Sequence, residues 1–256
     1  MPLKITFLGA GSAFTVGDDN FQSNVLLESN GDSLLIDAGA DLRLSLFALN
    51  RSYHDIHNIY ITHLHSDHIG GLEWLALATY FDDTYPGKPT LYAEEKLMQA
   101  LWHSLAGGLS TLAYQQASLN TYFNVQAIGK EHAFTWQKIQ FKLIQAIHVY
   151  SNYHLLPCYG LLFSYGTSRI FYSADTQYNP YLIQQLNKEV DLFFHDCETQ
   201  EIKSGVHAHY SELRQLPTEI KRKMWLYHYN NVQALPDAKA DGFLGFVTRG
   251  QSFNFK

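Results

Sequence analysis

Short apolar runs typical of β-strands dominate the first quarter of the chain. Residues 3–8 and 23–28 cluster or alternate apolar side chains, as half-buried strands do. The polar stretch Ser29-Asn30-Gly31-Asp32 separates the second run from Leu34-Leu35-Ile36-Asp37, and Asn-Gly is a strong hairpin signal. We therefore expect the fold to open with antiparallel β-structure.

The pattern changes to a helical period after residue 70. Apolar positions between 72 and 80 share one helical face, and a second helix is expected over 94–106. The segment 107–127 is expected to be irregular or partly helical. A second β-rich half follows, with strands expected near 139–145, 159–164, 169–174, 190–195 and 224–227 and helices near 179–187 and 211–222. Two such halves predict an α/β fold in which two sheets pack face to face with helices outside.

No composition shift, repeat or flexible linker divides the chain, so one domain over 1–256 is expected. A hydrophobic content of 46% is enough for a large core. The first residues show no secretory signal pattern, and no apolar window is long enough for a membrane helix. Cys158 and Cys197 lack metal-site spacing, so we expect reduced thiols in a cytoplasmic protein.

The charge balance favours a small substrate. The formal net charge is -6, and the one basic run, Lys221-Arg222-Lys223, is typical of a solvated helix face. Long nucleic acids need a broad positive surface because phosphate neutralisation supplies most of their affinity. We therefore expect a small-molecule partner, with no membrane and no long nucleic acid bound.

The strongest chemical signal is the pattern H-x-H-x-D-H from His63 to His68, directly after the strand-like residues 58–62. Side chains alternate along a strand, so the four donors meet only if the chain turns sharply where the strand ends. His63 and His65 would then face one metal, and Asp67 and His68 a second. Imidazole nitrogens with a carboxylate suit zinc, and also manganese or ferrous iron. A solvated histidine-rich loop is the structural alternative.

A site for two metals needs about six or seven protein ligands, so three more donors should follow other strands. His148, Asp175 and His228 each come where an apolar strand stops. Donors at strand ends on one edge of a fold converge on one cleft. Each of the three, taken singly, is better explained as a buried histidine or a turn aspartate. Their common position supports a joint role.

These donors and the segment Asp37-Ala38-Gly39 make the whole chain resemble the metallo-β-lactamase superfamily of dinuclear hydrolases, whose fold is an αββα four-layer sandwich. The resemblance implies two Zn²⁺ per chain, with Mn²⁺ or another divalent metal as the alternative. It implies that Asp37 orients the ligands from behind. It also implies one metal on His63, His65 and His148, the other on Asp67, His68 and His228, and Asp175 as the bridge.

Two further segments, 194–199 and 207–211, are similar to the paired signature of the tRNase Z-like phosphodiesterases. There a carboxylate orients a histidine that protonates the leaving oxygen. The resemblance gives these roles to Asp196 and His209, which we count as catalytic together with Asp67. His207 is the alternative candidate for this acid. If His207 is not the acid, it is expected to support the metal ligands from behind, as is His195. The alternative is a helix start with a buried polar pair.

The tRNase Z enzymes carry a long arm that clamps tRNA between their third and fourth metal motifs. Only 26 residues separate His148 from Asp175 here, so that arm is missing. The sequence is similar instead to the anti-Pycsar proteins, phage-encoded and bacterial enzymes of this fold. That resemblance implies hydrolysis of 3′,5′-cyclic mononucleotides, including cCMP and cUMP and also cAMP and cGMP, to 5′-monophosphates. Such a reaction erases the signal of Pycsar antiphage defence.

The same resemblance implies a homodimer, and the segment 107–127 is our candidate for the part that approaches the partner's cleft. It also implies action in the cytosol, that of the host if the gene is carried by a phage. The alternatives are a tRNA 3′-end endoribonuclease, a thioester hydrolase or lactonase, and a secreted lactamase. A nucleotide-binding module without activity is also considered, but it should lack at least one ligand.

Overall fold

The computed structural model describes residues 2–17, 19–230 and 232–256. In chain order, the strands are β1 Leu3–Phe7, β2 Val25–Ser29, β3 Asp32–Ile36, β4 Asn58–Tyr60, β5 Thr90–Glu94, β6 Thr111–Leu112, β7 Gln115–Gln116, β8 Asn124–Ile128, β9 Ala133–Trp136, β10 Ile139–Gln145, β11 Tyr150–Ser151, β12 His154–Leu155, β13 Tyr159–Tyr165, β14 Ser168–Tyr172, β15 Leu192–Asp196, β16 Met224–Tyr227, β17 Gly245–Phe246 and β18 Ser252–Phe255. The helices are α1 Leu42–Phe47, α2 Ser66–Ile69, α3 Leu72–Tyr80, α4 Glu95–Leu109, α5 Leu119–Tyr122, α6 Pro180–Asn187, α7 Tyr210–Leu213 and α8 Thr218–Lys221. None of these helices has both the length and the apolar composition needed to cross a lipid bilayer.

Two seven-stranded mixed sheets form the body of the described chain. The first has the order β18-β1-β2-β3-β4-β5-β8, and the second has the order β17-β16-β15-β14-β13-β10-β9. Strands β18 to β3 and β9 to β14 pair antiparallel, whereas β3 to β8 and β14 to β17 pair parallel. Each sheet therefore has an antiparallel half and a parallel half, and the parallel strands end along one edge.

The two sheets pack face to face through buried aromatic rings. Phe7 on β1 lies 5.1 Å from the ring centroid of Phe194 on β15 and 5.7 Å from that of Tyr227 on β16. Tyr60 on β4 donates its hydroxyl to the carbonyl oxygen of Tyr159 at 3.0 Å. The hydroxyl is thus satisfied inside an otherwise apolar interface, as burial requires.

Helices cover the outer face of each sheet. Leu97, Leu101 and Leu105 recur every four residues on α4, are buried, and lie on the helix that contacts β5 and β8. Ile183 and Leu186 of α6 belong to a second apolar cluster with the outer face of the second sheet. The layers are therefore helix, sheet, sheet and helix, and the predicted αββα class is confirmed.

The predicted elements differ from the observed ones in two segments. The single helix expected over 211–222 is wrong: α7 and α8 are separate because Pro217 disfavours helical backbone at Leu216. The segment 107–127 contains the end of α4, the hairpin β6–β7, α5 and the start of β8. Strand β8 pairs with β5 although Gln126 and Asn124 interrupt its apolar pattern, which is why periodicity missed it.

Replacing Phe7 by alanine should destabilise the fold by about 3–5 kcal/mol, because it removes a fully buried ring between the sheets. Phe47→Ala is the matched control, since Phe47 is 80% exposed. Urea unfolding of both variants measures the difference. A loss for Phe7→Ala no larger than that for Phe47→Ala would mean that this aromatic contact does not hold the sheets together.

Candidate metal centre

Asp37 fixes the loop that carries the histidine motif. It follows β3 with a positive φ of 62° and is fully buried. Its carboxylate accepts hydrogen bonds from the backbone N–H and the hydroxyl of Thr62, both at 2.8 Å, and from Nδ1 of His68 at 2.7 Å. Burial raises the pKa of Asp37, and the nearby His68 partly offsets this effect. The carboxylate therefore lies directly behind the motif, joined to its two ends.

The chain turns between β4 and α2, as the motif requires. His63 and His65 lie in the extended segment after β4, whereas Asp67 and His68 lie in the first turn of α2. The imidazole nitrogens Nε2 of His63 and Nδ1 of His65 are 3.1 Å apart. Nε2 of His148 approaches the same nitrogen of His65 to 3.2 Å. These three rings form the first donor group.

A second donor group lies beside the first. Nε2 of His68 is 3.2 Å from Oδ2 of Asp67, and Nε2 of His228 is 3.3 Å from the same oxygen. Oδ2 of Asp175 lies 3.2 Å from His68 and 3.6 Å from His63. One carboxylate thus contacts both groups. All seven residues implied by the resemblance meet in two clusters, and within each cluster the donor atoms lie within 4.8 Å of one another.

Parallel strands bring three of the site residues to one edge. Asp175 follows β14, Asp196 ends β15 and His228 follows β16, and these strands are neighbours in register. Carboxyl ends of parallel strands open onto one crevice. His228 has a φ of 67°, and its N–H donates to the carbonyl of Ala10 at 2.7 Å. The strand ends therefore explain how donors far apart in the sequence converge.

Four of the histidines present the same nitrogen to the cluster. In each, Nδ1 faces an oxygen behind the site, which leaves Nε2 directed at the other donors. Such outer partners fix the tautomer of metal-binding imidazoles. The partners are Thr62 Oγ1 for His63 (3.0 Å), Asp37 Oδ2 for His68 (2.7 Å), Val206 O for His148 (2.7 Å) and Asp196 Oδ1 for His228 (3.4 Å).

The electrostatics of the cluster also fit a divalent metal. Burial lowers the pKa of His63, His65 and His148, which favours the neutral imidazole that binds metals. At His68, burial opposes the charged form, but Asp175 and the other carboxylates outweigh it and raise the pKa. Oδ1 of Asp175 is buried with no hydrogen-bond partner among the described residues. Nitrogen and carboxylate donors at these separations suit zinc or manganese.

The structure puts His207, not His209, against Asp196. Nδ1 of His207 lies 2.8 Å from Oδ2 of Asp196, and the same oxygen accepts the N–H of Thr176 at 2.9 Å. Burial opposes ionisation of Asp196, but His207 outweighs it and lowers the carboxyl pKa to about 2. The pKa of His207 is raised, since Asp196 outweighs the effect of its burial. The His207 ring lines the cleft in front of His228.

The expectation that His209 pairs with Asp196 is therefore wrong in its geometry. Nε2 of His209 lies 2.8 Å from the carbonyl oxygen of Gln200, and its Nδ1 lies 2.7 Å from the hydroxyl of Ser211. His209 is the N-cap of α7, so both ring nitrogens serve the local backbone. Its position two residues after His207 made the two histidines indistinguishable from spacing alone.

His195 lies away from the donors. It precedes Asp196 on β15, so its side chain points to the opposite face of the sheet. It lines a small internal cavity beside Ile183 of α6, and burial lowers its pKa. Nδ1 contacts the carbonyl oxygen of Asp196 at 2.7 Å. His195 therefore does not contact the donor groups, and the expectation that it supports the ligands from behind is not met.

A cleft of about 400 Å³ opens onto the two donor groups. No Lys or Arg of the described residues lines it. The sequence analysis did not predict several residues of the cleft wall. One signal for them was available: the run of small residues Gly9-Ala10-Gly11-Ser12, which follows β1 and Leu8 and leads into the wall. The missed residues are Ser12, Phe14, Glu198, Gln200 and Asn230.

Known proteins match this chain along most of its length. A family model described as Anti-Pycsar protein Apyc1 matches residues 3–253. The anti-Pycsar protein Apyc1 of Paenibacillus harenae is 35% identical over 232 residues, covering 90% of each chain. The protein of the same name from Bacillus phage vB_BsuM-Goe3 is 34% identical over 239 residues, covering 89% of each chain.

Solved structures share the fold at low identity. The metallo-β-lactamase fold protein YhfI from Bacillus subtilis aligns with a TM-score of 0.74 and 18% identity over 99% of this chain and 100% of that chain. A diphosphatase from the PhnP family aligns with a TM-score of 0.73 and 20% identity, covering 99% and 98% of the two chains. Human tRNase Z, short form, aligns with a TM-score of 0.70 and 17% identity over 99% of both chains. The fold is thus the metallo-β-lactamase fold, and the sequence matches show that the chain belongs to the anti-Pycsar protein Apyc1 family.

Proposed function

We propose that this protein is a phosphodiesterase that opens 3′,5′-cyclic mononucleotides to 5′-monophosphates in the bacterial cytosol and so acts against Pycsar signalling. The observation that carries the proposal is the pair of donor clusters sharing Asp175 at the floor of a cleft of about 400 Å³. Membership of the anti-Pycsar family supports it. Two structural neighbours with the same fold are named as a diphosphatase and a tRNase, names that are consistent with chemistry at phosphate groups.

Two zinc ions per chain are the proposed cofactors, with Mn²⁺ as the alternative. His63, His65 and His148 would hold one ion, while Asp67, His68 and His228 would hold the other and Asp175 would contact both. When bound, two such ions activate water and neutralise charge on a phosphate ester. Metal analysis that returns one ion or none after growth with zinc would contradict this assignment.

Asp196 and His207 are the proposed pair that supplies a proton to the leaving 3′ oxygen. Asp196 holds Nδ1 of His207, which leaves Nε2 of the ring as the proton donor toward the cleft. The carboxylate of Asp196 raises the pKa of His207, which favours the protonated ring that a general acid needs. Thr176 holds the same carboxylate from the other side, so the pair is oriented before substrate binds.

A tRNA 3′-end nuclease is the second candidate, because tRNase Z shares the fold. Two observations disfavour it. The segment between His148 and Asp175 forms only the hairpin β11–β12 and the strands β13 and β14. The cleft also lacks lysine and arginine among the described residues, although long nucleic acids depend on such contacts.

A substrate panel tests the proposed function. The metal-loaded protein should convert 3′,5′-cyclic mononucleotides to 5′-monophosphates, with weak dependence on salt because few phosphate contacts are made. Pre-tRNA, a thioester and a chromogenic β-lactam complete the panel, and Asp67→Ala is the control for contaminating activity. Efficient cleavage of pre-tRNA with the cyclic mononucleotides untouched would reject the proposal in favour of the nuclease.

The acid assignment is tested by exchanging the two neighbouring histidines. His207→Ala should retain both metals yet slow cyclic nucleotide hydrolysis by about 10²- to 10⁴-fold, the usual worth of a placed acid. The loss should shrink for bis(p-nitrophenyl) phosphate, because nitrophenolate leaves without a proton. His209→Asn, which keeps an N-cap side chain, is the comparison.

Metal content and rates for both variants and both substrates give the answer. A larger loss in His209→Asn than in His207→Ala would restore His209 as the acid. Loss of metal from His207→Ala would instead make this residue a ligand, because Asp175, Asp196, His207 and His228 also lie close enough to share an ion.

We also propose that two copies of the chain associate through the segment 107–127. Tyr114, in the turn of the β6–β7 hairpin, is fully exposed. Gln115 beside it contacts the hydroxyl of Tyr80 at 3.1 Å, and Phe81 is 69% exposed. Exposed aromatic patches of this kind mark protein interfaces.

Tyr114→Ser should shift the protein from dimer to monomer in sedimentation at micromolar concentration, because it removes the apolar tip of this hairpin. Tyr153→Ser is the control, since Tyr153 is equally exposed in the hairpin β11–β12. A wild-type protein that sediments as a monomer, or an equal effect of both substitutions, would contradict this interface.

A further inference from the structure

Glu198 is a buried carboxylate in the wall of the cleft. It lies two residues after Asp196, so the two side chains share a face of this extended segment, about 6–7 Å apart along the chain. Glu198 is only 4% exposed, and it lines the cleft. Its Oε1 accepts the N–H of Ser204 at 2.8 Å, whereas Oε2 has no partner among the described residues. A carboxylate oxygen that lines a cleft without a protein partner can accept a hydrogen bond from a bound ligand.

Phe14 supplies an aromatic face in the same cleft. Its side chain is 77% exposed and lines the cleft. The turn before it is fixed: the N–H of Ser12 donates to the carbonyl of Tyr229 at 3.1 Å, and the amide of Asn230 donates to the hydroxyl of Ser12 at 2.9 Å. Both anchors directly follow His228, so the ring is held near the metal donors.

The charge of Glu198 limits what it can contact. A carboxylate repels a phosphate, so it must face a part of the substrate that offers N–H or O–H donors. The donors proposed to hold the metals, and with them the phosphate, open onto the same cleft as Glu198, but Glu198 belongs to none of the donor groups. It is therefore free to contact the base or sugar of a bound mononucleotide.

We propose that Phe14 and Glu198 form a nucleobase subsite in which Phe14 stacks on the base and Glu198 accepts a hydrogen bond from its exocyclic amino group. This inference rests on the proposed function and adds base selectivity to it. Cytosine (on C4) and adenine (on C6) carry such an amino group, whereas uracil (on C4) and guanine (on C6) present a carbonyl oxygen in the corresponding place. The subsite therefore favours cytosine and adenine over uracil and guanine.

Glu198→Gln separates base recognition from loop structure, because an amide oxygen can still accept the N–H of Ser204. For cyclic CMP and AMP, kcat/KM should fall about 10- to 100-fold, the worth of a hydrogen bond to a charged group. For cyclic UMP and GMP it should change little. Cleavage of bis(p-nitrophenyl) phosphate, which has no amino group, should be retained. Glu201→Gln, an exposed substitution in the same loop, is the matched control.

Phe14→Leu tests the stacking contact. It should raise KM for all four cyclic nucleotides by a similar factor of about 10, because base stacking on an aromatic ring is worth about 1–3 kcal/mol and does not depend on the base. An unchanged KM for every nucleotide would remove Phe14 from the subsite.

The outcomes distinguish this inference from the proposed function. Equal loss for all four bases in Glu198→Gln would place the carboxylate against the sugar and overturn base reading. Unchanged kinetics in that variant, with the wild type active, would overturn the subsite and leave the phosphodiesterase standing. A wild type inactive on every cyclic mononucleotide but active on bis(p-nitrophenyl) phosphate would reject the proposed function itself.

Discussion

The hydrogen bonds to the buried carboxylate of Asp37 connect the sheet core to the proposed metal donors. A carboxylate removed from water is costly unless its oxygens are paired, and here Thr62 and His68 supply the pairs. These bonds fix the exit of β4 and the first turn of α2 relative to β3. Since the hydroxyl of Thr62 also contacts Nδ1 of His63, the orientation of one ligand in each donor group depends on this one acceptor.

Asp196 has the corresponding role on the second sheet. Its two oxygens face His228, a proposed metal donor, and His207, the proposed acid. Because β15 lies between β14 and β16, the carboxylate at its end is adjacent to the donors that follow both neighbours. The proposed acid is therefore positioned relative to the metal centre through a single side chain, and a small shift of Asp196 would disturb both.

The parts of the site that sequence predicted best are those whose geometry is local. The donors from His63 to His68 come together if a strand is followed by a sharp turn, which the local sequence indicates. The ends of apolar strands likewise indicated where more distant donors such as Asp175 should lie. The choice between His207 and His209 failed because the loop after Glu198 is irregular, so spacing does not say which ring returns to Asp196. Apolar periodicity did not predict β8, because that strand forms through its pairing with β5. It also did not predict the break between α7 and α8, because a single residue, Pro217, causes that break.

The loop that follows β15 joins the chemistry of the centre to the shape of the cleft. Glu198 accepts the N–H of Ser204, and the carbonyl of Val206 accepts a hydrogen bond from His148, a proposed metal donor. The ring of His207 then contacts the carboxylate of Asp196, the last residue of β15. A loop tied at three points cannot change its backbone path without moving the proposed acid, since the same backbone carries both. Within this fold, a change of substrate through a new path of this loop would therefore require a compensating change around His207, whereas a side chain such as that of Glu198 can change on the same backbone.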